Sequence, residues 1–176
     1  MTSSDKSGRN AKEQKPESAG LWFFVGIVST VVLLDQATKQ VVLRTMDLYE
    51  SIPVINGLFN LTHIHNPGGA FGFMASGDLR LRNFLFLGVS IFALLMIVFF
   101  YKKTPGSYRF LAGSLSMIFG GAVGNIIDRI RLGEVIDFLD LYIGNYHWPA
   151  FNVADSAITI GITIFIVHIL FKKMPE

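Results

Sequence analysis

The sequence predicts an all-α membrane protein with four transmembrane helices and a small β-hairpin on its outer surface. The chain has 176 residues, of which 51% are hydrophobic and only 16% charged, and its mean hydropathy is +0.48. That is too apolar for a water-soluble domain of this size and fits one small integral membrane domain. The apolar residues collect into four runs, Leu21–Leu43, Phe84–Tyr101, Phe110–Ile127 and Ala157–Phe171. Each is near the length that crosses roughly 30 Å of hydrocarbon as a helix. Between the first two runs, Asn56-Gly57 stands between apolar pairs, a strong signal for a tight hairpin.

Residues 1–20 are rich in Ser, Lys, Glu and Gly and lack hydrophobic periodicity. They read as a solvated, disordered tail, leaving residues 21–176 as a single domain. The first run is longer than a signal-peptide core and has no small-residue cleavage site, so it is expected to stay in the membrane. The third run ends in Gly120-Gly121-Ala-Val-Gly124, where Gly120 and Gly124 make a small-xxx-small face for close helix packing. The fourth carries only His168, near its far end.

Basic residues set the orientation. Lys6, Arg9, Lys12, Lys15, Lys102, Lys103, Arg109, Lys172 and Lys173 all fall on one side of four spans, which the positive-inside rule makes cytoplasmic. Both termini are then inside, and residues 44–83 and 129–154 outside. Trp22, Tyr101 and Tyr108 are expected at the inner interface and Tyr142, Tyr146 and Trp148 at the outer one.

Two carboxylates sit where they are costly. Asp137 follows the third run and Asp155 opens the fourth. A membrane-level Asp is a site candidate by default, and two on one face suggest a dyad sharing a proton to activate water. Asn125, Asp128 and Arg129 share a helical face. Asp128 and Arg129 either neutralise each other at a helix end or take part in the site. Asp35 and Lys39, at i and i+4, read as a structural salt bridge. Asn125 and Asn152 either hydrogen-bond the dyad or a substrate backbone, or glue helices together. The stretch Asn66-Pro-Gly68-Gly69-Ala70-Phe71 is either a Gly-rich turn or backbone that approaches a bound chain.

Other chemistries have weaker support. Net charge is +2, too small to suggest nucleic-acid binding. The absence of cysteine excludes a thiol nucleophile, disulfides and Cys-based zinc sites. His63-Ile-His65 puts two imidazoles on one strand face without a third ligand at recognisable spacing, which favours loop or core roles and no metal. A Ser156–Lys39 dyad is open in principle but leaves Asp137 and Asp155 unexplained.

Five blocks in order carry a resemblance: Asp35-Gln-Ala-Thr-Lys39, Asn66-Pro-Gly-Gly-Ala-Phe71, Gly120 through Arg129, Val135-Ile-Asp137-Phe138 and Phe151-Asn-Val-Ala154-Asp155. With four spans between them, the chain resembles the bacterial lipoprotein signal peptidases (signal peptidase II) over nearly all of residues 21–171. Gly69 stands where the family commonly has Ala. The resemblance implies an intramembrane aspartyl peptidase, free of cofactor and metal, in the bacterial inner membrane with its site at the periplasmic face. Its substrate would be a prolipoprotein whose cysteine carries a diacylglyceryl group, met among membrane lipids. It implies catalytic roles for Asp137 and Asp155. Asn66, Gly68, Ala70, Phe71, Asn125, Asp128, Arg129, Asn152 and Ala154 would bind substrate or support the site, with Asp35 and Lys39 shaping it. It also implies an outer β-cradle with a short amphipathic helix within residues 44–83, and inhibition by globomycin.

Two rivals predict different patterns. A small proton-coupled transporter needs an acidic path across the membrane, whereas Asp35, Asp128, Asp137 and Asp155 are expected near one face. A non-enzymatic assembly or anchor protein would tolerate exchange of its polar residues.

Overall fold

The computed structural model describes residues 20–68 and 79–171. The expected N-terminal tail, Ala70 and Phe71 lie outside the described residues. So does the remaining space for a short amphipathic helix, since residues 46–68 form only turns and strands. Among the described residues four helices are long and apolar enough to cross a membrane: α1 (Leu21–Thr45), α2 (Leu79–Lys103), α3 (Arg109–Leu132) and α4 (Val153–Phe171). Four strands, β1 (Ser51–Ile55), β2 (Phe59–Asn66), β3 (Val135–Ile143) and β4 (Tyr146–His147), form one antiparallel sheet in the order β1-β2-β3-β4.

The helices stay apolar on their outer faces because their solvent is hydrocarbon. Phe84, Val89, Phe92 and Leu95 of α2 are all exposed, as expected of a helix whose outside meets lipid. α3 is central and packs on the other three. Glycine permits this approach. A Cβ on Gly120 would stand 2.9 Å from that of Val31 on α1, and one on Gly121 would run into the Ala154 carbonyl on α4. The small-residue face of the third run is therefore a packing surface.

Two contacts gather the chain ends of the bundle. The Tyr101 hydroxyl donates to the Gly20 carbonyl at 3.1 Å, joining the end of α2 to the start of α1. The Tyr108 ring stands edge-on to His168 at 5.3 Å, joining the start of α3 to the end of α4. At the opposite end Val42 and Met46 pack with Ile136 and Phe138, so the sheet caps the bundle where α1 and α3 finish and α4 begins.

The Asn56-Gly57 hairpin forms as expected between β1 and β2, with Gly57 at φ +82° and the Leu58 N–H on the Ile55 carbonyl at 3.0 Å. The sequence reading did not anticipate β3. Residues 135–143 join the sheet beside β2, with Asp137 opposite Ile64 and Val135 opposite Asn66. All four helices run further than their apolar runs, and at α3 and α4 the extension shapes the site. α3 continues to Leu132 and closes at Gly133, in the left-handed conformation at φ +79°, with its N–H on the Arg129 carbonyl. α4 starts at Val153, which puts Asp155 in its first turn. Trp22, Tyr146 and Trp148 are exposed, as an interfacial belt requires. Tyr101, at the end of α2, instead buries its ring against Phe24 and gives its hydroxyl to the Gly20 carbonyl at the start of α1.

Candidate active site

Asp155 is held by the way α4 starts. Asn152 caps the helix: its Oδ1 accepts the Asp155 N–H at 2.9 Å, and the Asp155 carboxylate accepts the Asn152 N–H at 3.3 Å. This reciprocal cap satisfies two backbone donors left free at a helix start. It also points the Asp155 carboxylate at the positive end of the helix dipole, where negative charge is stabilised. Asn125 of α3 adds a bond from Nδ2 to Asp155 Oδ1 at 2.8 Å.

Asp137 is held by the sheet. Asn66, at the end of β2, donates Nδ2 to Asp137 Oδ2 at 2.9 Å, and Asn152 donates Nδ2 to Oδ1 at 2.7 Å. Asn66 is itself oriented by the Gly68 N–H on its Oδ1 at 2.9 Å. Asn152 thus touches both carboxylates, one through its side chain and the other through its backbone. Burial pushes the Asp137 carboxyl up to about 7. The bonds from Asn66 and Asn152 and the charge of Lys39 oppose this shift, and the negative charge of Asp155 adds to it.

Beneath the pair lies a buried ionic cluster. Lys39 Nζ stands 2.9 Å from Asp35, 2.8 Å from Asp128 and 3.0 Å from Asn125 Oδ1. The two carboxylates then reach the backbone just ahead of each upper Asp. Asp35 accepts the Ala154 N–H at 2.9 Å, and Asp128 accepts the Ile136 N–H at 3.2 Å. One lysine therefore anchors the chain entering Asp155 and the chain entering Asp137. Such a cluster specifies geometry through mutual satisfaction of buried charges rather than through net stability.

Most predicted site residues converge here. Asp35, Lys39, Asn66, Gly68, Asn125, Asp128, Asp137, Asn152, Ala154 and Asp155 are linked by the contacts above. Arg129 is close enough for the charges of Asp155, Asp137 and Asp128 to act on it. It makes no ion pair among the described residues; its guanidinium bonds the Asn125 carbonyl at 3.4 Å and lies 5.5 Å from the Phe86 ring. Asp128 and Arg129 do not neutralise each other, because Asp128 turns to Lys39 on a neighbouring helix. Lys39 and Ser156 form no dyad: Lys39 is enclosed by the cluster, and the Ser156 hydroxyl donates to the Asn152 carbonyl at 2.8 Å. His63 and His65 contact each other at 3.1 Å, with their other nitrogens on the Met46 carbonyl and Glu134.

Gln36 was missed. Its Nε2 lies 3.1 Å from Asp35, 3.0 Å from Asp128 and 3.2 Å from the Gly124 carbonyl, closing the cluster from the side. Its signal in the sequence is a polar residue next to Asp35 and three before Lys39, within one helical turn of both.

A profile of signal peptidase (SPase) II matches residues 27–171. The chain belongs to this family. The lipoprotein signal peptidase of Desulforapulum autotrophicum is 58% identical, covering 85% of this chain and 93% of the relative. That of Geobacter sulfurreducens is 51% identical, covering 85% and 92%. A solved bacterial membrane enzyme, determined by the in meso method, superimposes with a TM-score of 0.78 at 35% identity, covering 92% of this chain and 98% of that one. With four helices able to span a bilayer, this member of the family is an integral membrane protein.

Proposed function

We propose that the chain is an aspartic endopeptidase of the inner membrane that removes signal peptides from diacylglyceryl-modified prolipoproteins. The observation that carries this is the pairing of two carboxylates, Asp137 and Asp155, through one asparagine at the sheet end of an apolar bundle. Asp155, at a helix N-terminus, serves as the ionised base that takes a proton from water. Asp137, with its carboxyl at about 7, holds the proton and polarises the scissile carbonyl. The roles exchange when the amine leaves. Arg129, charged and without an ion pair among the described residues, supplies positive potential beside the developing oxyanion. Substrate and enzyme meet within the bilayer, so lipid anchoring raises effective concentration without further contacts. Globomycin is expected to block cleavage by occupying the same place. The acidic residues gather around Lys39 at one end of the bundle, an arrangement that favours this reading over a transport path.

The deciding experiment is cleavage of a lipidated precursor by the purified protein in detergent. No turnover from a well-folded preparation would end the proposal. The pH dependence is a second measure. Loss of the proton from Asp137 removes the acid, so kcat/KM is expected to fall as pH rises past about 7. The fall belongs to the pair rather than to one residue.

Orientation is tested by cysteine labelling, which is clean because the chain has no cysteine of its own. A Cys placed at Ser7 should be protected from an impermeant thiol reagent in intact cells, and labelling there would reverse the topology. Gly68→Val is expected to reduce cleavage more than it reduces folded protein. Gly68 sits at φ +85°, and a Cβ would press on the Phe86 ring at 2.8 Å, so the turn that orients Asn66 would shift. Normal cleavage by this variant at normal membrane levels would make the turn incidental.

A further inference from the structure

A groove of about 490 Å³ leads away from the proposed dyad along the flank of α4. Its walls include Leu141 of β3, Trp148 and Phe151 on the approach to α4, and Asp155, Thr159 and Ile160 of α4 itself. At 1.5 Å of rise per residue, Ile160 lies about 7 Å further along the helix than Asp155. The groove therefore runs beside a spanning helix, in the direction that lipid tails take. Leu141, Trp148 and Ile160 are exposed at its edge, where the bilayer would meet them.

Several polar groups of the walls already have partners. The Phe151 N–H and C=O pair with Leu139, the Trp148 N–H donates to the Leu141 carbonyl, and the Ser156 hydroxyl donates to Asn152. A peptide laid in the groove would find few partners for its own N–H and C=O groups in an apolar setting. A hydrocarbon chain has no such groups. A phospholipid with its tail here would bring its phosphate toward the ionised carboxylate of Asp155, which like charges disfavour. A glyceryl thioether brings no charge.

We propose that this groove seats one acyl chain of the lipid-modified precursor and so fixes the depth of the scissile bond against Asp155. The inference rests on the peptidase reading and adds where the lipid goes. It is tested with two precursors that carry a dipalmitoylglyceryl or a diacetylglyceryl thioether, and with a photoreactive diazirine at the end of a palmitoyl chain. Ile160→Trp, which fills the groove from a bilayer-exposed position, should lower kcat/KM on the dipalmitoyl precursor about tenfold through KM. It should reduce the preference over the diacetyl precursor by the same factor. Val89→Trp, adding the same bulk to the exposed face of α2, should alter neither. On the unsubstituted protein the diazirine should cross-link to Thr159 or Ile160. Equal losses on both precursors, or cross-links confined to other helices, would overturn the groove. If the unsubstituted protein cleaves neither precursor, the peptidase reading fails, and the cross-linking still decides whether the chain lies here.

Discussion

Replacing Asp137 or Asp155 by Asn is expected to abolish precursor cleavage, a loss of at least about 10⁴-fold, while the protein still inserts and binds substrate. Asn keeps the volume, and its carbonyl oxygen can keep one of the two carboxylate bonds, that from Asn152 at position 137 or that from Asn125 at position 155. What it cannot do is take a proton from water or pass between two ionisation states. The double variant should be little worse than either single one, since residues that act as a unit are not additive. Asp140→Asn is the control. Asp140 lies three residues further along β3, bound to Asn60 and His147, and its variant should keep cleaving. Stability supplies an independent readout. Between the ordinary Asp value of 3.8 and about 7, native Asp137 holds a proton that the unfolded chain has released. Stability should therefore decline as pH rises through that window, and Asp137→Asn should flatten the decline in melting temperature. Near-normal turnover by either single variant would end the aspartyl mechanism.

The parts of this architecture that follow from local rules were legible in the sequence. Four spans follow from apolar run length, and the hairpin from Asn56-Gly57 between apolar pairs. Asp155 could be found because a carboxylate at the opening of an apolar span is costly unless used. The parts set by tertiary partners were not legible. Val135–Phe138 is buried on both faces of its strand, so β3 lacks the alternation that marks a half-exposed strand. Asp128 was read beside its sequence neighbour Arg129, yet adjacent residues on a helix do not face each other. Its partner is Lys39, far away in sequence and one helix away in space. Gln36 is hidden for the same reason, since two of its three acceptors, Asp128 and the Gly124 carbonyl, belong to α3. Hydropathy ends the apolar runs of α3 and α4 early, because it counts as breaks Asp128 and Asp155, which are satisfied inside the protein.

Lys39→Met is expected to be the most damaging single change below the dyad. Lys39 is 2% exposed and holds Asp35 and Asp128, themselves 0% and 2% exposed. Met fills similar space without the charge, leaving two buried carboxylates facing each other with no cation between them. Removing one partner of a buried ion pair costs about 3–5 kcal/mol, and here one lysine serves two pairs. Each carboxylate would then take up a proton or turn away, loosening its hold on the Ala154 or the Ile136 N–H. Both dyad residues would lose their anchor together, so turnover should fall at least about 100-fold along with a marked drop in melting temperature in detergent. Adding Asp128→Asn to Lys39→Met separates the two effects. It removes one stranded charge, so part of the melting temperature should return. Turnover should stay low, because the cation that holds Asp35 and position 128 together is gone and only Gln36 then ties α1 to α3 beneath the pair. If Lys39→Met cleaved at a near-normal rate, or if the double variant regained activity in step with stability, the cluster would be a fold support and not the device that aligns Asp137 with Asp155.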